Sequence, residues 1–246
     1  MRGDRAFGVN KMNNANHIDI EVAFDAFVKS IGGVVLKAEL DPSPDFENAD
    51  YVFHDLQIVA ELKCLQENKL DDPLYMQKID EAWQRWKKAG LVEGDTPDRI
   101  LLNQLPELCA KELVSIGSRP LKRIVEKANR QIRETKANRN LPAYKGLLLL
   151  ANDGNFALPA NTQDGLVGGI LSNKYSSIDS YVLFSVNMTS QVPGVDIPCM
   201  VWIPRGRSMT QSIPPNFLTF LRDRWVDFHE KLSGRKYRRF GDVVES

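Results

Sequence analysis

Three ionisable side chains interrupt an otherwise apolar stretch of the chain, NADYVFHDLQIVAELKCL (residues 48–65). They are Asp50 near its beginning and Glu61 and Lys63 near its end. The stretch is typical of two short strands joined by a tight turn. Because side chains alternate between the faces of a strand, Glu61 and Lys63 share one face. Two carboxylates and an amine in a segment suited to a protein interior indicate a site with its own chemistry.

The pairing of the two strands decides whether the carboxylates meet. If Phe53 pairs with Ile58 across a four-residue connection, Asp50 lies opposite Glu61, with Cβ atoms about 4.5–5.5 Å apart. A connection of odd length would shift the register by one residue and turn Asp50 to the other face. Like charges directly opposite each other repel, and a bound cation removes that repulsion.

A divalent cation suits such a pair of carboxylates. Mg²⁺ takes oxygen ligands, often one or two carboxylates, and completes its shell with water and substrate phosphate. Lys63 adds positive charge that can orient a water molecule or stabilise a phosphate in the transition state. Metal-assisted hydrolysis of a phosphodiester therefore accounts for all three residues. The alternative is an exposed ion pair between Glu61 and Lys63 beside an ordinary turn acid, an arrangement that contributes about 0–1 kcal/mol to stability.

The rest of the chain supplies the elements that must position these groups. Hydrophobic periodicity and turn residues predict helices and strands in an order that indicates an α/β sandwich around a central mixed sheet. The predicted elements are a helix at 17–30, strands at 33–40, about 50–54 and about 57–65, a helix beginning at Pro120 and ending near 138, a strand at 145–151, a helix near 163–172, strands at 180–187 and 199–204, and a helix from Pro215 to about Leu232. We expect one domain over residues 1–246, with a helical insertion at about 69–119 and a C-terminal extension at about 152–246.

Charge limits the classes of function. The 246 residues carry 32 basic and 32 acidic side chains, so nucleic acid must be bound by local clustering if it is bound at all. One such cluster lies on the predicted helix 120–139, for which a solvated helix face is the alternative interpretation. Its members are Lys122, Arg123, Lys127, Arg130, Arg133, Lys136 and Arg139.

Cysteine spacing and hydropathy indicate the compartment. The cysteines, Cys64, Cys109 and Cys199, are odd in number and show neither a disulfide framework nor a zinc pattern. No apolar run approaches the roughly 20 residues needed to cross a bilayer, and the N-terminus lacks the apolar core of a secretion signal. We therefore expect a soluble protein of the reducing cytoplasm with no membrane partner.

The order of elements together with the charged hairpin resembles the PD-(D/E)XK nuclease superfamily, which has the restriction-endonuclease-like fold. Its core is α-β-β-β-α-β, with an Asp opening the second strand and Glu/Asp-x-Lys in the third. Here Asp50 precedes YVF, and Glu61-Leu62-Lys63 lies in IVAELKCL. The resemblance covers roughly residues 17–151. It implies that Asp50 and Glu61 bind the metal, that the backbone carbonyl of Leu62 is a further ligand, and that Lys63 positions or activates the attacking water.

Two further residues follow from the same resemblance. Many members add a Glu from the first helix, and Glu21 is the matching candidate, with a solvated helix residue as the alternative. Members often place a Gln or Lys on the helix after the third strand, and Gln131 at the border of an apolar stripe is the candidate there. A literal Pro44-Asp45 occurs upstream, but Asp45 would pair beyond the end of the hairpin, so Asp50 is preferred.

The activity implied by the resemblance is Mg²⁺- or Mn²⁺-dependent hydrolysis of phosphodiester bonds, with DNA as the expected target. A homodimer would suit cleavage of both strands of a duplex. The rival interpretation is a catalytically inactive member of the same fold that binds nucleic acid or protein. The sequence leaves open DNA against RNA, single against double strands, base specificity and the biological pathway.

Overall fold

The computed structural model describes residues 17–38, 47–66, 72–97, 100, 102–154, 160–189, 199–207 and 212–237. Within this part of the chain, six strands form one sheet in sequence order. They are β1 (Val34–Val35), β2 (Tyr51–Phe53), β3 (Ile58–Leu65), β4 (Lys145–Asn152), β5 (Ser180–Ser185) and β6 (Trp202–Gly206). The α-helices are α1 (Ile20–Ser30), α2 (Pro73–Lys88), α3 (Glu107–Asn138), α4 (Ala160–Lys174) and α5 (Pro215–Ser233).

The sheet is mixed. Strands β1, β2 and β3 are antiparallel neighbours, β3, β4 and β5 are parallel, and β6 returns antiparallel to β5. The parallel pairs need crossover connections, which α2 with α3 and then α4 supply. The unbroken leucines of β4, Leu147 to Leu150, are each 0% exposed because this central strand is covered on both faces.

Helices cover both faces of the sheet. Helices α1 and α5 pack on one face, where the ring of Phe24 lies 4.9 Å from that of Trp225. Helices α3 and α4 pack on the other face through side chains such as Val125 and Val167. The predicted fold class is confirmed: an α/β three-layer sandwich with a central mixed sheet, an α-β-β-β-α-β core and a helical insertion. No helix in the described ranges has both the length and the apolar composition that crossing a bilayer requires.

The prediction that a helix begins at Pro120 is wrong. Helix α3 runs without interruption from Glu107 to Asn138 and contains Pro120 in its interior. A proline there removes one helical hydrogen bond and costs about 3 kcal/mol. Buried side chains before the proline compensate, since Cys109 and Ile116 of α3 pack against Trp83 and Trp86 of α2. Tertiary packing therefore outweighs the local break signal.

The predicted strand 33–40 is much shorter than expected. Of the described residues 33–38, only Val34 and Val35 are in a strand, and the chain then turns through a short 3₁₀ segment, Leu36–Ala38. The Leu36 N–H donates to the carbonyl oxygen of Asp50 at 2.8 Å, so this turn remains attached to the beginning of β2. Asp45 lies outside the described residues.

Candidate active site

The hairpin of β2 and β3 has the register expected from the sequence. Phe53 pairs with Ile58 and Tyr51 pairs with Ala60, which continues to Asp50 opposite Glu61. The connection is a 3₁₀ turn followed by Gln57 in the left-handed region, at a φ of 53°. The prediction of an even register is therefore confirmed.

Asp50, the residue directly before β2, binds the backbone of β3 through its side chain. Its Oδ2 atom accepts a hydrogen bond from the Leu62 N–H at 2.8 Å. Because the N–H and C=O of one strand residue point toward the same edge, the Leu62 carbonyl faces the strand that carries Asp50. Asp50 and the Leu62 backbone therefore face each other across the hairpin, and Glu61 is the residue of β3 next to Leu62.

Glu61 and Lys63 form an ion pair beside Asp50. The Lys63 ammonium donates to Oε1 of Glu61, which is 0% exposed as a residue, while the Lys63 side chain is 19% exposed. The second carboxylate oxygen of Glu61, Oε2, is buried and has no hydrogen-bond partner among the described residues. A buried carboxylate with one unpartnered oxygen costs free energy unless another donor or a cation reaches it.

Burial raises the pKa of both carboxyl groups. The pKa of Glu61 rises to about 8, first because of burial and then because of the negative charge of Asp50. The Lys63 ammonium opposes part of this rise, and so does the backbone N–H of Asp50, which lies near the carboxylate but does not meet hydrogen-bond geometry to Oε2. Burial also raises the pKa of Asp50, while the Leu62 N–H and Lys63 act in the other direction. Two negative charges at this position are therefore unfavourable without additional positive charge.

The donor set fits a hard divalent cation with an incomplete protein shell. Among the described residues, no group of three or more His, Cys, Asp and Glu side chains is arranged to hold a metal ion. Two carboxylates with a backbone carbonyl match the way Mg²⁺ is commonly bound, in which water and substrate phosphate supply the other ligands. The unpartnered Oε2 of Glu61 is the atom that such an ion would contact.

Helix α3 holds the segment that carries Asp50. The Gln131 Nε2 atom donates to the carbonyl oxygen of Asn48 at 3.0 Å, and the Ala49 N–H donates to Oγ1 of Thr135 at 2.7 Å. An ion pair of 2.9 Å between Arg130 and Glu47 adds a third contact. The structure thus brings Gln131 close to the site, where its contact is with the backbone two residues before Asp50.

Glu21 lies in the first turn of α1 and is exposed. Its negative charge contributes to the raised pKa of Asp50, which places the two carboxylates within electrostatic range. Lys37 lies in the same region, where it forms a 2.6 Å ion pair with Asp25 and acts on Asp50 as a positive charge. Glu21 is thus near the site, at its solvent-facing side.

Sequence reasoning missed two sets of polar residues. The first is Asn48, whose amide nitrogen and oxygen are both buried without a partner among the described residues, next to the equally unpartnered Oε1 of the predicted Gln131. At the carboxyl end of β4, Asp153 accepts from Nδ2 of Asn187 at 3.0 Å and lies 3.3 Å from Nε2 of His17. Asp153 and Asn187 could have been found from their positions in the sequence, since polar residues that directly follow parallel strands collect at one edge of a sheet.

No protein-family model, curated protein or solved structure significantly matches this chain. The function of the protein is therefore inferred from the geometry and chemistry of the site.

Proposed function

We propose that this protein is a divalent-metal-dependent nuclease, a hydrolase that cleaves phosphodiester bonds with DNA as the expected substrate. The observation that carries the proposal is the buried Glu61 carboxylate, which is paired with Lys63, lies opposite Asp50 and has an unpartnered oxygen. The proposed assignment agrees with the resemblance to the PD-(D/E)XK superfamily. Cleavage of both strands of a duplex would favour a homodimer.

Asp50, Glu61 and the Leu62 carbonyl are the residues that would hold Mg²⁺ or Mn²⁺. When bound, the ion supplies Lewis-acid polarisation of the phosphate and lowers the pKa of a water molecule. Lys63 keeps its ammonium beside Glu61, where it can orient the attacking water and stabilise charge on the phosphate oxygens. Water adds to phosphorus, the bond to the leaving oxygen breaks, and that oxygen takes up a proton, which yields one phosphate monoester and one hydroxyl group.

One observation favours the rival function, a catalytically inactive nucleic-acid or protein-binding module. The Lys63 ammonium already neutralises Glu61 through a direct ion pair, so this part of the site is electrostatically compensated by the protein itself. A structural ion pair of this kind would survive without metal. The two functions differ in whether the protein cleaves nucleic acid and in whether Glu61 and Lys63 act in that cleavage.

Incubation of supercoiled plasmid with the protein and Mn²⁺ or Mg²⁺ tests the proposal. We expect nicking by the wild type and a loss of roughly 10²–10⁴-fold in rate for Glu61→Gln and Lys63→Ala. Glu107→Gln and Lys111→Ala are matched controls, since this ion pair on α3 is 80% and 70% exposed. Circular dichroism checks that each variant is folded. Plasmid binding without cleavage, unchanged by Glu61→Gln, would instead identify the binding module.

A further inference from the structure

The basic residues of α3 do not form one uniform surface. Arg119, Arg123 and Lys127 recur every four residues, so they line one side of the helix. All three side chains are exposed, and none forms a direct hydrogen bond or ion pair with another described residue. Arg119 acts on Glu112 and Lys127 acts on Glu47 only at longer range, and both acids pair directly with other arginines. We call these three residues the α3 stripe. At about 1.5 Å of rise per residue, the stripe extends over about 12 Å.

The α3 stripe leads toward the candidate active site. Lys127, at its C-terminal end, and Lys63 both act on the Glu47 carboxylate, and both contribute to lowering its pKa after the larger effect of Arg130. One turn beyond Lys127, Gln131 contacts the backbone of Asn48. Lys127 therefore lies beside the short segment that positions Asp50.

The other basic residues of α3 have different surroundings. Arg130 is engaged by Glu47 at 2.9 Å. Lys122 and Arg133 lie on another side of the helix, next to the connection between α4 and β5, where Asn129 accepts a hydrogen bond from the Ser177 N–H at 3.0 Å. Only the stripe thus combines unpaired cations with a direct approach to the site among the described residues of this helix.

An unpaired row of like charges is unfavourable for the free protein. Cations four residues apart on a helix repel each other and destabilise it. The protein has a formal net charge of zero, so this row is a local feature and not the result of a basic composition. A polyanion laid along the helix would relieve the repulsion and release condensed counterions.

We propose that the α3 stripe binds consecutive backbone phosphates of the nucleic-acid strand that enters the site at Glu61 and Lys63. The inference rests on the proposed nuclease function for its direction of approach. A strand in a duplex has one phosphate per roughly 3.4 Å of axis, so the stripe matches three to four phosphates. The contacts are to the backbone and carry no base specificity.

Binding measured without cleavage tests the stripe separately from catalysis. Fluorescence anisotropy of a labelled duplex is recorded in EDTA, on the Glu61→Gln background, between about 50 and 200 mM salt. The stripe variant carries Arg123→Gln and Lys127→Gln. The control variant carries Lys122→Gln and Arg133→Gln, which removes the same two residue types from another side of the same helix.

We expect the stripe variant to bind roughly 10–100-fold more weakly, with a salt slope lower by about 1.8, while the control variant binds as its parent does. Equal losses in both variants, or no binding by the parent, would overturn the inference. So would equally tight binding of polyglutamate that is lost in the same variant, since this would assign the stripe to acidic proteins. Stripe-dependent binding by a wild type that never nicks plasmid would preserve the inference and overturn the proposed nuclease function. Nicking of plasmid without stripe-dependent binding would support the proposed nuclease function and overturn the inference about the stripe.

Discussion

Glu61 is the residue at which burial and charge conflict most directly. Its side chain is 1% exposed, one of its oxygens has no partner among the described residues, and a second carboxylate lies opposite. Folding alone does not reward this arrangement, because a buried carboxylate that lacks full compensation destabilises the native state. Residues of this kind are characteristic of functional sites, where part of the stability is given up for chemistry.

Glu61→Gln should therefore separate stability from activity. In EDTA at neutral pH we expect the free energy of unfolding to change by less than about 1 kcal/mol, because a pKa of about 8 leaves the Glu61 carboxyl group largely protonated there and the amide replaces one neutral group by another. Nicking of plasmid should be lost in the same variant. Urea denaturation followed by circular dichroism measures the first effect. A large loss of stability would show that Glu61 is a structural ion-pair partner of Lys63.

Metal addition should stabilise the wild type through Asp50 and Glu61. At Mg²⁺ or Mn²⁺ concentrations near 100 times Kd, linkage predicts about 2.7 kcal/mol, equivalent to a rise in Tm of about 5–10 °C for a chain of this size. Asp50→Asn should abolish the rise, while it keeps an oxygen that can accept from the Leu62 N–H. The matched control is Asp95→Asn, since Asp95 is exposed and pairs only with Lys87 among the described residues. An equal rise in Tm for Asp50→Asn would contradict the ligand assignment.

At the scale of elements, features that depend on residues close together in the sequence could be predicted, and features that depend on residues far apart in the sequence could not. The register of β2 and β3 was predictable because a four-residue connection and the alternation of apolar residues both act locally. The hydrogen bonds that α3 makes with the segment 47–49 were not predictable, since Gln131 and Thr135 are more than 80 positions away from that segment in the chain. The predicted helix start at Pro120 was wrong for a related reason, because the packing that keeps α3 continuous through Pro120 comes from another element, α2.

The close approach of β4 to the segment before β5 gives a prediction at the same scale. A Cβ atom at Gly146 would lie 1.8 Å from the carbonyl oxygen of Ser177, a backbone atom with no flexible end to move. We expect Gly146→Ala to lower the free energy of unfolding by about 3 kcal/mol or more, because the two segments must separate.

Gly165 is the matched control for that substitution. A Cβ atom there meets nothing within 4 Å, and the residue lies in the interior of α4. Gly165→Ala should stabilise the protein by about 0.5–1 kcal/mol through the higher helix propensity of alanine. Thermal denaturation should give a lower Tm than the wild type for Gly146→Ala and a higher Tm for Gly165→Ala. A Gly146→Ala variant as stable as the wild type would contradict the observed packing of this edge.

At the scale of the whole molecule, two apolar cores on opposite faces of one sheet support a single polar edge. The core under α1 and α5 is rich in aromatic rings, and the core under α3 and α4 is mainly aliphatic. Glu61 and Lys63 lie on β3 and Asp50 directly precedes β2, so the site is built on strands that both cores hold in place. The unbroken leucines of β4 and the largely apolar faces of β3 made this layered arrangement predictable, whereas the polar contacts across the layers were not predictable.

The stability of the whole fold should depend on His229 in acid. This residue of α5 is 1% exposed, packs between the rings of Trp225 and Tyr237, and has no hydrogen-bond partner for either ring nitrogen among the described residues. Burial lowers the pKa of His229 from 6.5 to about 4, and the nearby positive charge of Arg235 acts in the same direction.

The direction in which pH changes the stability follows from how many protons the folded and unfolded states bind. Between the unfolded pKa of 6.5 and the folded pKa of about 4, the unfolded chain binds more protons than the native state, so stability falls as the pH falls. This residue should contribute a loss of roughly 3 kcal/mol between about pH 7 and pH 4. In His229→Leu the unfolding free energy should decline less over that interval by this amount. His54→Asn, at an exposed histidine that contacts Tyr144, should leave the decline unchanged. Urea unfolding at a series of pH values measures these slopes, and identical slopes for His229→Leu and the wild type would show that His229 does not couple folding to pH.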